Sequence, residues 1–319
     1  MPLIDMPLNE LKSYNGSSPL PKDFDIFWNN TLSEIVGLEK TVTIEKAEYD
    51  FENIECYDLY FNGLGSGKIY AKYAKPAFIK DKHGAVILFH GYSGASEAWT
   101  SLLSWASQGY SVFALDVRGQ AGKSEDVGGV TGNTLNGHFI RGLEDSPEKL
   151  LFRYIFSDTV ILARIAMNME EVNENQVYTF GGSQGGALSL VCSALEPKIA
   201  KSVIIYPFLS DYKRVWDMDL VRDAYGELNW FFKIKDPLHE KKDEIFYKLG
   251  YIDVQNLANK VKSKVLFITG LMDAICPPST QFAVYNKITS EKEILIYPDF
   301  GHEYLPNITE KSMIFFRRN

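Results

Sequence analysis

Ser183 stands in Gly181-Gly182-Ser183-Gln184-Gly185, with glycines two places before and two places after it. Such glycines let a strand and a helix pass close together at a sharp turn whose tip is a serine. The apolar run Val177–Phe180 precedes the turn and Gly186–Leu195 reads as a helix after it, so the serine is placed as a nucleophile. No Gly-Lys-Ser/Thr follows, which excludes a phosphate loop. A serine hydroxyl needs a base to take its proton. His302 is the candidate, because it closes Asp299-Phe300-Gly301-His302 directly after the apolar run Glu293–Tyr297. Of the other histidines, His83 and His239 lie in charged segments and His138 in a long polar loop, so these three read as surface residues; His90 reads as a packed loop residue. The base needs a carboxylate to hold its tautomer and stabilise the imidazolium. Asp273, just past the run Val265–Thr269, fills that place, with Asp299 as the rival, a turn residue after Pro298.

Acyl transfer at a serine also requires donors for the oxyanion of the tetrahedral intermediate. The backbone N–H of Gln184, next to the nucleophile, is one. The other is expected from the loop His90-Gly91-Tyr92 after an early strand, at the Tyr92 N–H. No His-Glu-x-x-His or clustered Cys/His pattern points to a metal, and no G-x-G-x-x-G follows a strand, so neither a metal nor a dinucleotide cofactor is implied.

These residues must be carried by elements that bring them to one place. From Ala85 onward the chain repeats short apolar runs: Ala85–Phe89, Ser111–Leu115, Val177–Phe180, Ser202–Tyr206, Val265–Thr269 and Glu293–Tyr297. Segments with helical apolar spacing separate most of them, among them Phe152, Ile155, Phe156, Leu162, Ile165, Ala166 and Met169. Apolar strands alternating with amphipathic helices predict an α/β fold, a mostly parallel central sheet flanked by helices, with sites at the C-terminal ends of its strands. The chain order Ser183, Asp273, His302 is that of the α/β-hydrolase fold. We read residues 1–319 as a single domain of this kind. Residues 1–80 form an N-terminal extension with a helix near Asp23–Val36 and antiparallel strands at Thr41–Glu48, Glu55–Phe61 and Lys68–Ala74. Gly119–Pro147 reads as a surface loop bordering the site. Phe208–Lys260 is too long and too aromatic for a plain connection and reads as a mainly helical insertion, a lid or an interface.

The 319 residues, 45% hydrophobic and 23% charged, have the balance of an ordinary globular protein. A net charge of -8 argues against a nucleic-acid partner, which needs a surplus of Lys and Arg. Cys56, Cys192 and Cys276 are unevenly spaced and odd in number, as expected of reduced, buried thiols. Met1–Leu20 lacks the features of a signal peptide, and no apolar run approaches the roughly 20 residues of a membrane helix. The expectation is a cytoplasmic protein with no membrane partner, whose Asn-x-Ser/Thr sites at Asn15, Asn29 and Asn307 are idle.

Three motifs in this order resemble carbohydrate esterase family 7, the acetyl xylan esterase / cephalosporin C deacetylase group. They are Arg118-Gly119-Gln120 after the strand Ser111–Val117, Gly181-Gly182-Ser183-Gln184-Gly185-Gly186, and His302-Glu303. The opening, Asp5-Met6-Pro7-Leu8 followed by Asp23-Phe24-Asp25 and Phe27-Trp28, is also similar, so the resemblance runs nearly end to end. It implies a serine esterase that deacetylates small acetylated sugars, xylooligosaccharides above all, and cephalosporin C. The alternative within the fold is a broader short-chain carboxylesterase. The resemblance also implies a cytoplasmic homohexamer built as a trimer of dimers. Arg118, Gly119 and Gln120 carry over as signature positions, read as a hydrogen-bonded brace beside the site. Leu150-Leu151-Phe152-Arg153-Tyr154 departs from the family, which often has consecutive tyrosines there.

Overall fold

The computed structural model describes residues 4–49, 51–127, 129–130 and 134–318. Within these residues nine strands form one sheet: β1 (Thr43–Lys46), β2 (Ile54–Asn62), β3 (Lys68–Pro76), β4 (His83–Phe89), β5 (Ser111–Leu115), β6 (Val172–Gly182), β7 (Lys201–Ile205), β8 (Lys264–Gly270) and β9 (Lys292–Tyr297). Among the described residues ten α-helices accompany them: α1 (Leu8–Leu11), α2 (Phe24–Glu34), α3 (Trp99–Ala106), α4 (Leu151–Met167), α5 (Gln184–Leu195), α6 (Tyr212–Asp217), α7 (Gly226–Lys235), α8 (Lys242–Leu249), α9 (Pro278–Lys287) and α10 (Ile308–Arg317).

The strand order is β1-β2-β3-β5-β4-β6-β7-β8-β9. The first four in that order pair antiparallel and the remaining pairs are all parallel. The expected mostly parallel sheet is therefore present. The three strands of the N-terminal extension lengthen it at one edge. Apolar runs become its centre because both faces are covered. Ile87, Phe113 and Phe267 pack with α4 and α5 on one side, while Val86, Val112 and Ile268 pack with α3 and α10 on the other. Among the described residues no helix is long and apolar enough to cross a membrane.

Parallel register aligns the C-terminal ends. Phe89 pairs with Gly181, Gly182 with Ile205, Ile205 with Ile268, and Gly270 with Tyr297. Ser183, Tyr92, Asp273 and His302 each follow one of these ends, so the sheet delivers them to one edge.

One loop assignment needs correction. Gly119–Pro147 is not simply a surface loop: Phe139, Ile140 and Leu143 are buried, with Phe139 packed edge-on against Phe208 and Tyr225 and tilted against Tyr212. (Residues 128 and 131–133 of that stretch lie outside the described residues.) The departure at Leu150–Phe152 also faces the core, where these side chains are at most 1% exposed. The insertion carries α6, α7 and α8, closed around Trp216, Phe232 and Phe246. All three cysteines are buried and unpaired.

Candidate active site

Ser183 begins α5 with φ 58° and ψ -121°, a conformation that costs a non-glycine residue on the order of 1–3 kcal/mol. The strain is held in place by the backbone: the Ser183 N–H donates to Ile205 at 3.0 Å, and its carbonyl accepts the Phe208 N–H at 3.1 Å. The flanking glycines answer to close approach. A Cβ at Gly181 would lie 2.4 Å from the Gly185 carbonyl, and one at Gly185 would lie 2.1 Å from the Phe89 carbonyl oxygen.

Asp273 and His302 meet across the β8–β9 end. His302 Nδ1 lies 2.8 Å from Asp273 Oδ2, with the carboxylate fully buried. The same oxygen accepts Gln281 Nε2 at 3.2 Å, and Oδ1 accepts the N–H groups of Ile275 and Cys276 at 2.9 and 2.8 Å. A carboxylate with those donors leaves His302 protonated on Nδ1 and its Nε2 free as a base. Asp299 is exposed and takes no part. Among the described residues no hydrogen bond joins the Ser183 hydroxyl to His302. Such contacts are often long in a free enzyme and tighten around the substrate. The hydroxyl instead neighbours the buried Cys276 thiol, which burial pushes well above the ordinary thiol range. Asp273, Cys276 and His302 bring one potential ligand atom each within 4.8 Å of one another, a spacing a metal could use. Asp273 already accepts four N–H donors, so the cluster is arranged for hydrogen bonding.

The remaining expected residues converge on the same edge. Among the described residues neither the Tyr92 N–H nor the Gln184 N–H has a protein acceptor, and Gln184 sits at the N-terminus of α5, where the helix favours negative charge. The Gln120 and Gln184 side chains form a reciprocal amide pair at 2.7 and 3.0 Å, and Gln184 Nε2 also reaches the Gly91 carbonyl at 3.3 Å. Arg118 is fully buried and grips Asp158 with two bonds of 2.6 and 2.7 Å, adding the Leu64 carbonyl at 3.0 Å. Gly119 turns with φ 67° between them. Arg118 thus ties the segment after β5 to α4 and to the segment after β2, and Gln120 ties it to Gln184 at the start of α5; among the described residues neither side chain bonds Ser183, Asp273 or His302.

His90 is packed as read: its Nδ1–H donates to Gly91 at 2.7 Å and its Nε2 accepts the Val117 N–H at 3.0 Å. Burial lowers its pKa and keeps it neutral. His239 is exposed. His83 and His138 are not surface residues. His83 is buried, its ring nitrogens satisfied by the Asp81 carbonyl at 3.0 Å and Ser111 Oγ at 3.1 Å. His138 is buried against the Tyr92 ring, and burial with the Arg141 charge pushes it down to about 4.

Four residues beside the site escaped the sequence reading. Gln281 orients Asp273, and Cys276 packs beneath Ser183. Tyr206 lays its ring 4.7 Å from that of His302, its phenol pushed up to about 12 by burial and by Asp273. Tyr206 was visible as the end of a strand that ends at the site. Glu227 takes the Tyr92 phenol.

Comparison with known proteins places this arrangement among esterases. The family model described as acetyl xylan esterase (AXE1) matches residues 1–319. The structure of acetyl xylan esterase 1 from Thermoanaerobacterium sp. JW/SL YS485 superposes with a TM-score of 0.94 at 52% identity, covering 98% of each chain. That of the acetyl xylan esterase from Paenibacillus sp. R4 gives 0.89 at 31% identity, over 98% of this chain and 99% of that one. The acetyl esterase Axe7A of Xylanibacter ruminicola is 27% identical over 97% of this chain and 69% of its own length.

Proposed function

We propose that this chain, which belongs to the acetyl xylan esterase family and is a carboxylic ester hydrolase of the α/β-hydrolase fold, removes acetyl groups through an acyl-enzyme on Ser183. The proposed substrates are small acetylated sugars, xylooligosaccharides among them, and cephalosporin C-like esters. The observation that carries the reading is the 2.8 Å Asp273–His302 pair at the strand edge that also presents Ser183. His302 Nε2 takes the Ser183 proton as Oγ attacks the acetyl carbonyl. The oxyanion meets the Tyr92 and Gln184 N–H groups, each such donor being worth roughly 10²–10³ in rate. His302 then gives the proton to the departing sugar oxygen, and water releases acetate by the same steps in reverse.

For the alcohol we propose the groove beside the Tyr92–Glu227 contact. It has a volume of about 490 Å³ and is lined by Asn136, Gly137, Ile140, Asp223, Glu227 and Trp230. Trp230 is half exposed there, an aromatic face on which a pyranose ring can stack. A cytoplasmic homohexamer, a trimer of dimers, belongs to the same proposal; the mass of one chain in light scattering overturns it.

The test is Ser183→Ala assayed on p-nitrophenyl acetate and on acetylated xylooligosaccharides. A fall in kcat of roughly 10⁴–10⁶ is expected, as on losing a triad nucleophile. Near-wild-type turnover sinks the assignment. In the wild type, rates that fall steeply from acetyl to butyryl and octanoyl esters support the deacetylase. Rates that hold or rise favour a broader carboxylesterase.

A further inference from the structure

Glu227 stands on α7 of the insertion, yet its carboxylate serves the loop after β4. One oxygen accepts the Tyr92 phenol and the other accepts the Phe139 N–H at 3.2 Å, in a side chain only 6% exposed. The Tyr92 ring is clamped edge-on by Phe208 at 5.0 Å and His138 at 5.2 Å. The backbone it belongs to is open on one side at Gly91. Gly91 is exposed with open space where a Cβ would sit, and Ser93 has φ 57°. The Gly91–Tyr92 peptide is nevertheless fixed at its carbonyl end, which accepts His90 Nδ1 at 2.7 Å and Gln184 Nε2 at 3.3 Å. The Tyr92 side chain holds the other end.

We propose that Glu227 is a positioning residue for ester hydrolysis. Through the Tyr92 phenol it fixes the plane of the Gly91–Tyr92 peptide, whose N–H serves as an oxyanion donor on the reading given above, on which this inference rests. It thereby ties the insertion to the catalytic edge of the sheet. Burial pushes the Glu227 carboxyl up, and the hydrogen bonds from the Tyr92 phenol and the Phe139 N–H offset part of that rise.

The experiment compares kcat and KM on p-nitrophenyl acetate for wild type, Tyr92→Phe, Glu227→Gln, Glu227→Leu and the double variant Tyr92→Phe/Glu227→Leu. Complete loss of one oxyanion donor costs roughly 10²–10³ in kcat, so a misplaced donor is expected to cost roughly 10–100-fold. Tyr92→Phe should lower kcat by about 10-fold and Glu227→Leu by about 10–100-fold, with KM within about 2-fold, because the donor acts in the transition state. Glu227→Gln keeps an acceptor for Phe139 and a donor for the phenol oxygen, so it should recover most of the rate. The double variant should be no slower than Glu227→Leu, since both act through one link. Losses that multiply, a change confined to KM, or wild-type kcat in Tyr92→Phe each overturn the proposal. If Glu227→Leu does not fold, Tyr92→Phe decides, because it leaves Glu227 bonded to Phe139. Ser183→Ala separates the two readings. An active Ser183→Ala overturns the site itself, whereas an inactive one beside an unchanged Tyr92→Phe overturns only the role of Glu227.

Discussion

Asp273→Asn alters one atom at the most heavily bonded group of the site. Four donors converge on the carboxylate: Ile275 N and Cys276 N at 2.9 and 2.8 Å on Oδ1, His302 Nδ1 and Gln281 Nε2 at 2.8 and 3.2 Å on Oδ2. The two backbone N–H groups cannot turn away, so the asparagine carbonyl must take the Oδ1 place and its NH₂ must face His302 and Gln281. His302 can meet a donor only through an unprotonated Nδ1, which moves its proton to Nε2 and removes the base that Ser183 needs. A wrong tautomer of this kind costs about 10⁴ in kcat, or about 5.5 kcal/mol of barrier at ~1.4 kcal/mol per decade. Stability should suffer less. One orphaned buried donor, on Gln281, costs about 1–3 kcal/mol, so the variant stays folded and the rate loss is chemical. The assay is kcat on p-nitrophenyl acetate beside a urea denaturation curve, with Asp299→Asn as the companion. Asp299 is exposed, and its variant should stay near wild type. A folded Asp273→Asn within about 10-fold of wild-type kcat, or an Asp299→Asn as slow as Asp273→Asn, refutes the reasoning.

Three further outcomes follow from the buried polar groups and from the groove. Asp158→Ala leaves the fully buried Arg118 guanidinium with only the Leu64 carbonyl; a loss of about 3–5 kcal/mol is expected in urea unfolding, and less than ~1 kcal/mol would contradict it. Burial and the charge of Asp211 raise Asp253 to about 6 from an ordinary 3.8. An acid raised on folding favours the native state while protonated, so its contribution is complete below about pH 4 and is lost as pH climbs through 6, a swing of about 3 kcal/mol. Asp253→Asn keeps an oxygen for the Asp211 and Gln255 N–H groups and should flatten the stability profile between pH 4 and 7; an unchanged slope would show that Asp253 does not carry it. Trp230→Ala should raise KM for acetylated xylooligosaccharides by roughly 5–10-fold while leaving p-nitrophenyl acetate unaffected, since one lost stacking contact is worth about 1 kcal/mol. Equal effects on both substrates would take the sugar out of the groove.

The strands were legible because a continuous apolar run is a local signal, and all six runs from Ala85 onward became strands. Ser183, Asp273 and His302 were legible for a related reason: each stands just past such a run, and a parallel sheet gathers those ends. What could not be read is what pins the site in place, because each pin joins segments far apart in the chain. His83 follows Asp81-Lys82 and looks like a surface residue until Ser111, 28 positions on, lies against its ring. Arg118 meets Asp158 across 40 residues, and Glu227 meets Tyr92 across 135. For Glu227 a trace did exist. On α7 it lies one turn before Phe231 and beside Leu228, both buried, so helical spacing sets an acid on the apolar face. A carboxylate there is too costly to keep unless something donates to it. The sequence could have said that Glu227 needed a partner; only the fold could say that the partner is the phenol of Tyr92, on the loop after β4.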